Sequence, residues 1–296
     1  MSTDETRRAF AWVLAAYLVA GVIAYCVGLA AQVRDVPPIA VAFMADIAAT
    51  IVVFGFSAAF RNSSFYDPYW SVAPIPIAIY FSAQDQAIEA SFLRQLVVIT
   101  LITIWGCRLT YNWARGWTGL GHEDWRYLDI QEKTGRLYWF VSFIGIHMMP
   151  TLWVFFGCLP LYPALLFGAR PFGPIDIVAV AVTGGAIWLE AEADKQLVQF
   201  RNSSPPSEAV LDTGVWAWSR HPNYFGEISF WWGLWLFGYA ADPASWRWTI
   251  LGAASITLMF RFVSLPLIER RMAERRPSYA DVQARTSLVI PWPPRR

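Results

Sequence analysis

The sequence predicts an all-α, polytopic integral membrane protein, a bundle of about eight transmembrane helices with both termini cytoplasmic. Three observations predict it. Of 296 residues, 56% are hydrophobic and only 15% charged, whereas about a quarter of the residues in a soluble domain are charged. Aromatic residues are abundant, with 17 Trp, 12 Tyr and 20 Phe, as expected of a chain that meets two membrane interfaces. Apolar runs recur along the whole chain, and a helix needs about 20 such residues to cross the hydrocarbon. The net charge of +1 and the lack of a basic run argue against nucleic acid as a partner.

The first predicted span, residues 10–31, follows Arg7 and Arg8. It is longer than the roughly 7–15 residues of a signal-peptide core, so it reads as a retained signal anchor. The next predicted spans are 39–60, 69–82, 92–113, 138–167, 175–198, 222–241 and 248–268. The third is short and holds Pro74 and Pro76; the fifth is long, and Pro150 is expected to kink it. Loop charge supports this count. Arg7, Arg8, Arg61, Arg115, Arg126, Lys133, Arg136, Arg201, Arg220 and the seven arginines from Arg270 onward fall on one side. Only Arg34, Arg94, Arg170 and Arg247 fall on the other, a positive-inside bias that places both termini in the cytosol. The basic tail from Glu269 reads as an interfacial helix followed by an extended segment.

The strongest functional lead is GVWAWSRHPNYFGE, residues 214–227. Pro222 suits the first turn of a helix, where its missing N–H would be unpaired anyway. Arg220, Asn223 and Glu227 then fall at i, i+3 and i+7 on one face. A helix start flanked by Arg220 and His221 attracts anions, phosphate above all. Glu190, Asp194 and Arg201 share a stripe of the sixth span, as a ligand site or as a structural charge lock with Lys195. Arg261 lies deep in the eighth, either on a ligand or neutralising Glu227. Asp67, between Tyr66 and Pro68, is either functional or a helix cap. Such groups are costly against lipid, so a shared polar cavity near the cytoplasmic half is the better reading. Cys26, Cys107 and Cys158 and the scattered His122, His147 and His221 have no metal-ligand spacing, so no metal is predicted. His147 reads as a hydrogen-bonded core histidine.

GVWAWSRHPNYFGE resembles the C-terminal signature of the steroid 5α-reductase family, especially its bacterial relatives. Sterol reductases and, more loosely, isoprenylcysteine carboxyl methyltransferases carry similar runs. EADKQLVQFR, ending at Arg201 and with six residues between Asp194 and Arg201, resembles the reductases' helix that carries an Asp and, about two turns on, an Arg. The resemblance covers most of the chain after Arg61, which divides it into N-terminal helices (1–60) and a catalytic membrane domain (61–296). It implies NADPH as cofactor, with Asp194, Arg201, Arg220, His221, Asn223, Tyr224, Glu227 and Arg261 as its contacts. Asp194 and Arg201 would serve the ribose and phosphate end, and Asn223 and Glu227 the carboxamide.

Tyr66 and Asp67 stand where the family has its substrate-facing Gln-Glu pair, which makes them the implied catalytic residues. Three positions depart from the family: Trp105, three residues before Arg108, replaces a catalytic tyrosine, and Leu265 and Glu269 replace His and Tyr. The resemblance thus implies an NADPH-dependent reductase of a conjugated C=C bond in a lipophilic substrate among membrane lipids. Its place would be the bacterial plasma membrane, with the cofactor site facing the cytoplasm. Two rivals are an S-adenosylmethionine-dependent methyltransferase with Glu269 or Glu274 on its cofactor, and a non-catalytic lipid-binding protein.

Overall fold

Prolines decide where the helices break. The computed structural model describes residues 3–294; Arg295 and Arg296, counted in the charge bias, lie outside the described residues. Helices α1 (Thr3–Gln32) and α2 (Pro38–Phe60) form an N-terminal hairpin, followed by the short α3 (Tyr69–Val72) and α4 (Pro74–Ser82). Pro74 and Pro76 lack the donors that would fuse these two. Together residues 69–82 rise about 21 Å, short of the roughly 30 Å hydrocarbon core.

After α5 (Phe92–Gly116) and α6 (Trp125–Thr134), a π-helical segment, Ser142–Met148, joins α7 (Tyr138–Val141) to α8 (Met149–Cys158). It lies just ahead of Pro150. A proline ring pushes on the carbonyl four residues back, and a wider π turn relieves the push. Where a kink at Pro150 is expected, the chain carries this π segment. Next come α9 (Pro174–Asn202) and α10 (Pro222–Ala241). The π segment Phe260–Ser264 then joins α11 (Trp246–Met259) to α12 (Leu265–Arg275), just before Pro266. Finally α13 (Tyr279–Arg285) and an extended stretch form the tail.

Among the described residues there is no strand, and 6 helices are long and apolar enough to cross a membrane. This is a polytopic helical membrane protein. Of the eight predicted spans, residues 69–82 and α10 fall outside that set. Trp, Tyr and Gly dilute the hydropathy of α10, although its 20 residues rise about 30 Å.

The core that positions the site is the crossing of α9 and α10. A Cβ on Gly226 would lie 2.5 Å from Glu190 Cγ, and one on Gly233 would lie 2.1 Å from Thr183 Oγ1. Glycine at both points lets the helix axes close. Against this pair, Trp105 of α5 stacks on Phe230 with ring centroids 4.3 Å apart, and both are fully buried. Away from that crossing, Arg94, expected to be a loop cation, is wholly buried. Its Nε and Nη2 donate to Asp176 Oδ1 and Oδ2 at 2.7 and 2.9 Å, Nη1 donates to the carbonyl of Arg170, and Nη2 also donates to that of Pro171. Burial of so polar a group is tolerated because each of its three nitrogens donates to an acceptor.

Candidate functional site

One guanidinium organises the polar centre between α5, α9 and α10. Arg108 Nη1 donates to Asp194 Oδ2 at 2.8 Å, and its Nη2 donates to Glu190 Oε2. One turn along α5, Asn112 Nδ2 donates to the same Asp194 Oδ2 at 2.6 Å. Glu227, on the facing surface of α10, accepts from the indoles of Trp105 and Trp231 at 3.2 and 2.8 Å. It also lies within electrostatic reach of Arg108. Arg115 and Arg201 act on Asp194 in the same through-space way. Asp194 and Glu227, 33 positions apart, thus border one half-buried cation.

The centre differs from the predicted one in its partners. Lys195 pairs with Glu192 at 3.1 Å and turns away from Glu190 and Asp194; at i, i+3 these two share an outer face. Arg261 does not neutralise Glu227. It is exposed, its guanidinium 5.4 Å from the Phe262 ring centre. Arg201 is exposed at the end of α9. Asn223 is half-buried at the start of α10 and makes no side-chain hydrogen bond among the described residues. Two buried polar atoms at the centre, Arg108 Nε and Glu190 Oε1, also have no partner.

Arg220 and His221 belong to a different cluster. Arg220 Nε and Nη2 grip Glu269 at 3.1 and 2.8 Å, and His221 Nε2 meets the same carboxylate at 2.7 Å. Tyr279 and Gln283 donate to it too. Arg220 also donates to the carbonyls of Gln283 and Thr286 at 3.2 and 2.6 Å, while Ser219 Oγ donates to that of Val289 at 2.7 Å. These contacts staple the tail to the start of α10. The predicted anion site at this helix start is therefore occupied by a carboxylate of the chain itself. Tyr224 stacks on His221 at 5.4 Å and meets Phe260 at 4.8 Å.

Tyr66 and Asp67 reach different elements. The buried Tyr66 hydroxyl lies 2.7 Å from Thr151 Oγ1, and its ring packs 4.9 Å from that of His147. As expected, His147 is a core histidine, held by the Ser142 carbonyl and Ser57 Oγ, each at 3.0 Å. Asp67 is no helix cap, because the α3 cap position is Pro68. Instead its Oδ1 accepts from Tyr127 of α6 at 2.6 Å. Desolvation pushes its pKa up to about 6, against the pull of the hydrogen bonds from Tyr127 and Ser64. Arg126, the neighbour of Tyr127, is within electrostatic reach of both Asp67 and Tyr224, so α6 bridges this loop to α10.

Sequence reasoning missed Arg108 as the hub and Tyr127 as the partner of Asp67. A signal existed for the first: Trp105, Arg108 and Asn112 recur at i, i+3 and i+7 in an apolar helix. No local pattern marked Tyr127, which lies 60 residues from Asp67.

A family model described as "Protein of unknown function (DUF1295)" matches residues 53–286, which takes in the Arg108 centre and the Glu269 staple. The chain is similar to "Uncharacterized protein C594.04c" of Schizosaccharomyces pombe, 28% identical over 261 residues, covering 81% of this chain and 76% of the relative. No solved structure matches. Neither description names an activity. The matched residues begin inside α2 and include every polar group of the centre, so the chain belongs to the DUF1295 family.

Proposed function

We propose that this protein is a membrane-embedded, NADPH-dependent reductase of a conjugated C=C bond in a lipophilic substrate, with the cofactor held from the cytosolic side. The observation that carries the reading is the meeting of two sequence-distant motifs on Arg108, EADKQLVQFR through Asp194 and RHPNYFGE through Glu227. Sixteen basic residues against four support the cytosolic placement and an even number of crossings.

The residues fit such a cofactor. Asn223 and the unpartnered Arg108 Nε and Glu190 Oε1 provide the donor and acceptor chemistry that a carboxamide needs. Arg115 and Arg201, exposed near Asp194, offer charge to a phosphate. NADPH, when bound, supplies a hydride. The chain's part is to orient, to exclude water and to hold a proton. Glu269 is saturated by Arg220, His221, Tyr279 and Gln283, which removes the support that the methyltransferase reading drew from it.

Asp67 is the proton holder in this reading. Its carboxyl, with a pKa near 6, keeps its proton below that pH and loses it above. Turnover is therefore expected to fall as pH rises through about 6. Tyr127→Phe removes a donor that favours the carboxylate, so the inflection is expected to move upward. A profile flat from pH 5 to 8, or unmoved by Tyr127→Phe, would remove Asp67 from this role.

The cofactor assignment is tested by thermal unfolding of purified protein with NADPH, NADH and S-adenosylmethionine in parallel. NADPH is expected to stabilise most, by about 2.7 kcal/mol at a hundredfold excess over Kd. Stabilisation by S-adenosylmethionine alone would point to methyl transfer, and by none of the three to a non-catalytic lipid binder.

A further inference from the structure

Away from the Arg108 centre, α1, α2, α3 and α4 enclose a groove of about 530 Å³, within the roughly 300–1,000 Å³ of small-ligand sites. Small residues make the space: Ala20, Gly21, Ala24 and Gly28 on α1 face Ala42 and Ala45 on α2. Tyr17, Asp46 and Tyr69 line one end, and Gln32, Tyr80 and Gln84 the other. Along α1, Tyr17 to Gln32 spans about 22 Å. The walls are otherwise almost wholly apolar.

Asp46 is the exception. It is 6% exposed and is the single charged residue type in the lining. Tyr69 Oη donates to its Oδ1 at 2.7 Å, while its Oδ2 has no partner among the described residues. A buried carboxyl oxygen left unanswered is costly, and among the described residues no arginine or lysine lines the groove to answer it. A cation brought there would face apolar walls on every other side. A hydroxyl suits the position in either ionisation state, donating to the carboxylate or accepting from the acid.

We propose that this groove is a binding site for a long-chain or ring alcohol, its hydrocarbon body lying between α1 and α2 and its hydroxyl on Asp46 Oδ2. The site does not rest on the reductase reading. Most of its lining, Asp46 included, precedes the residues 53–286 matched by the family model.

The test uses the full chain in lipid nanodiscs with a long-chain alcohol carrying an alkyl diazirine. Light is expected to attach it to peptides of α1 and α2. The unlabelled alcohol is expected to compete about tenfold better than the hydrocarbon of equal length, which corresponds to one retained hydrogen bond. Asp46→Leu is expected to abolish that preference. Gly21→Phe adds bulk to the groove where a Cβ meets no atom within 4 Å and leaves the Asp46 carboxyl in the chain, and is expected to cut labelling about tenfold. Labelling unchanged by Gly21→Phe would overturn the proposal. So would an alcohol preference that survives Asp46→Leu, or an amine of equal length competing better than the alcohol.

Discussion

Replacing Arg108 with methionine is expected to cost about 3–5 kcal/mol of stability, the penalty typical of stripping one partner from a buried ion pair. The methionine fills much of the same space but leaves Glu190, only 3% exposed at its side chain, and Asp194 without their cation. The loss should be smaller when Glu190→Gln is added, because one uncompensated carboxylate is then removed. Thermal unfolding of the purified single and double variants measures both terms, and wild-type stability for Arg108→Met would mean that the cluster carries no weight. The same substitution should weaken NADPH binding in whatever fraction stays folded.

The second large effect lies away from the α9–α10 crossing and has nothing to do with the cofactor. Arg94→Ala leaves Asp176, 1% exposed, with a buried charge and two backbone carbonyls without their donors. A loss of about 3–5 kcal/mol is expected here also. Arg94→Leu combined with Asp176→Leu should recover much of it, since apolar replacement of a whole buried pair is often neutral or better. Folded Arg94 variants should bind NADPH as the wild type does. Coupled loss of stability and binding at Arg94 would make the Arg108 result uninformative about a site.

How much of this was legible beforehand depends on the range of each interaction. The helical membrane class followed from composition, and the α10 start from Pro222. The alignment of Glu190 with Asp194 followed from helical spacing, which is local. Partner choice was not local. Arg108 reaches Glu190 and Asp194 across 82 and 86 positions, and Arg220 reaches Glu269 across 49. No pattern in a single sequence separates a cation that meets a ligand from one that meets its own chain. Arg220 and His221 looked like anion binders for that reason, and the carboxylate they hold turned out to be Glu269. Proximity in sequence pairs Lys195 with Glu190 and Asp194, and depth in the membrane pairs Arg261 with Glu227, but neither pairing forms. Lys195 lies instead on the outer face of α9 with Glu192, and Arg261 is exposed on the π segment beyond α11.

In the proposed reading, Asp194 and Glu227 join on Arg108 in a centre that holds a nicotinamide dinucleotide. Titration of NADPH, followed by the fluorescence of its nicotinamide, into wild type, Asn223→Ala and Arg201→Ala tests it most directly. Saturable binding to the wild type is expected, weakened about tenfold by each variant through the loss of one good polar or charged contact. Equal affinity in all three proteins, or no saturable binding at all, would contradict it.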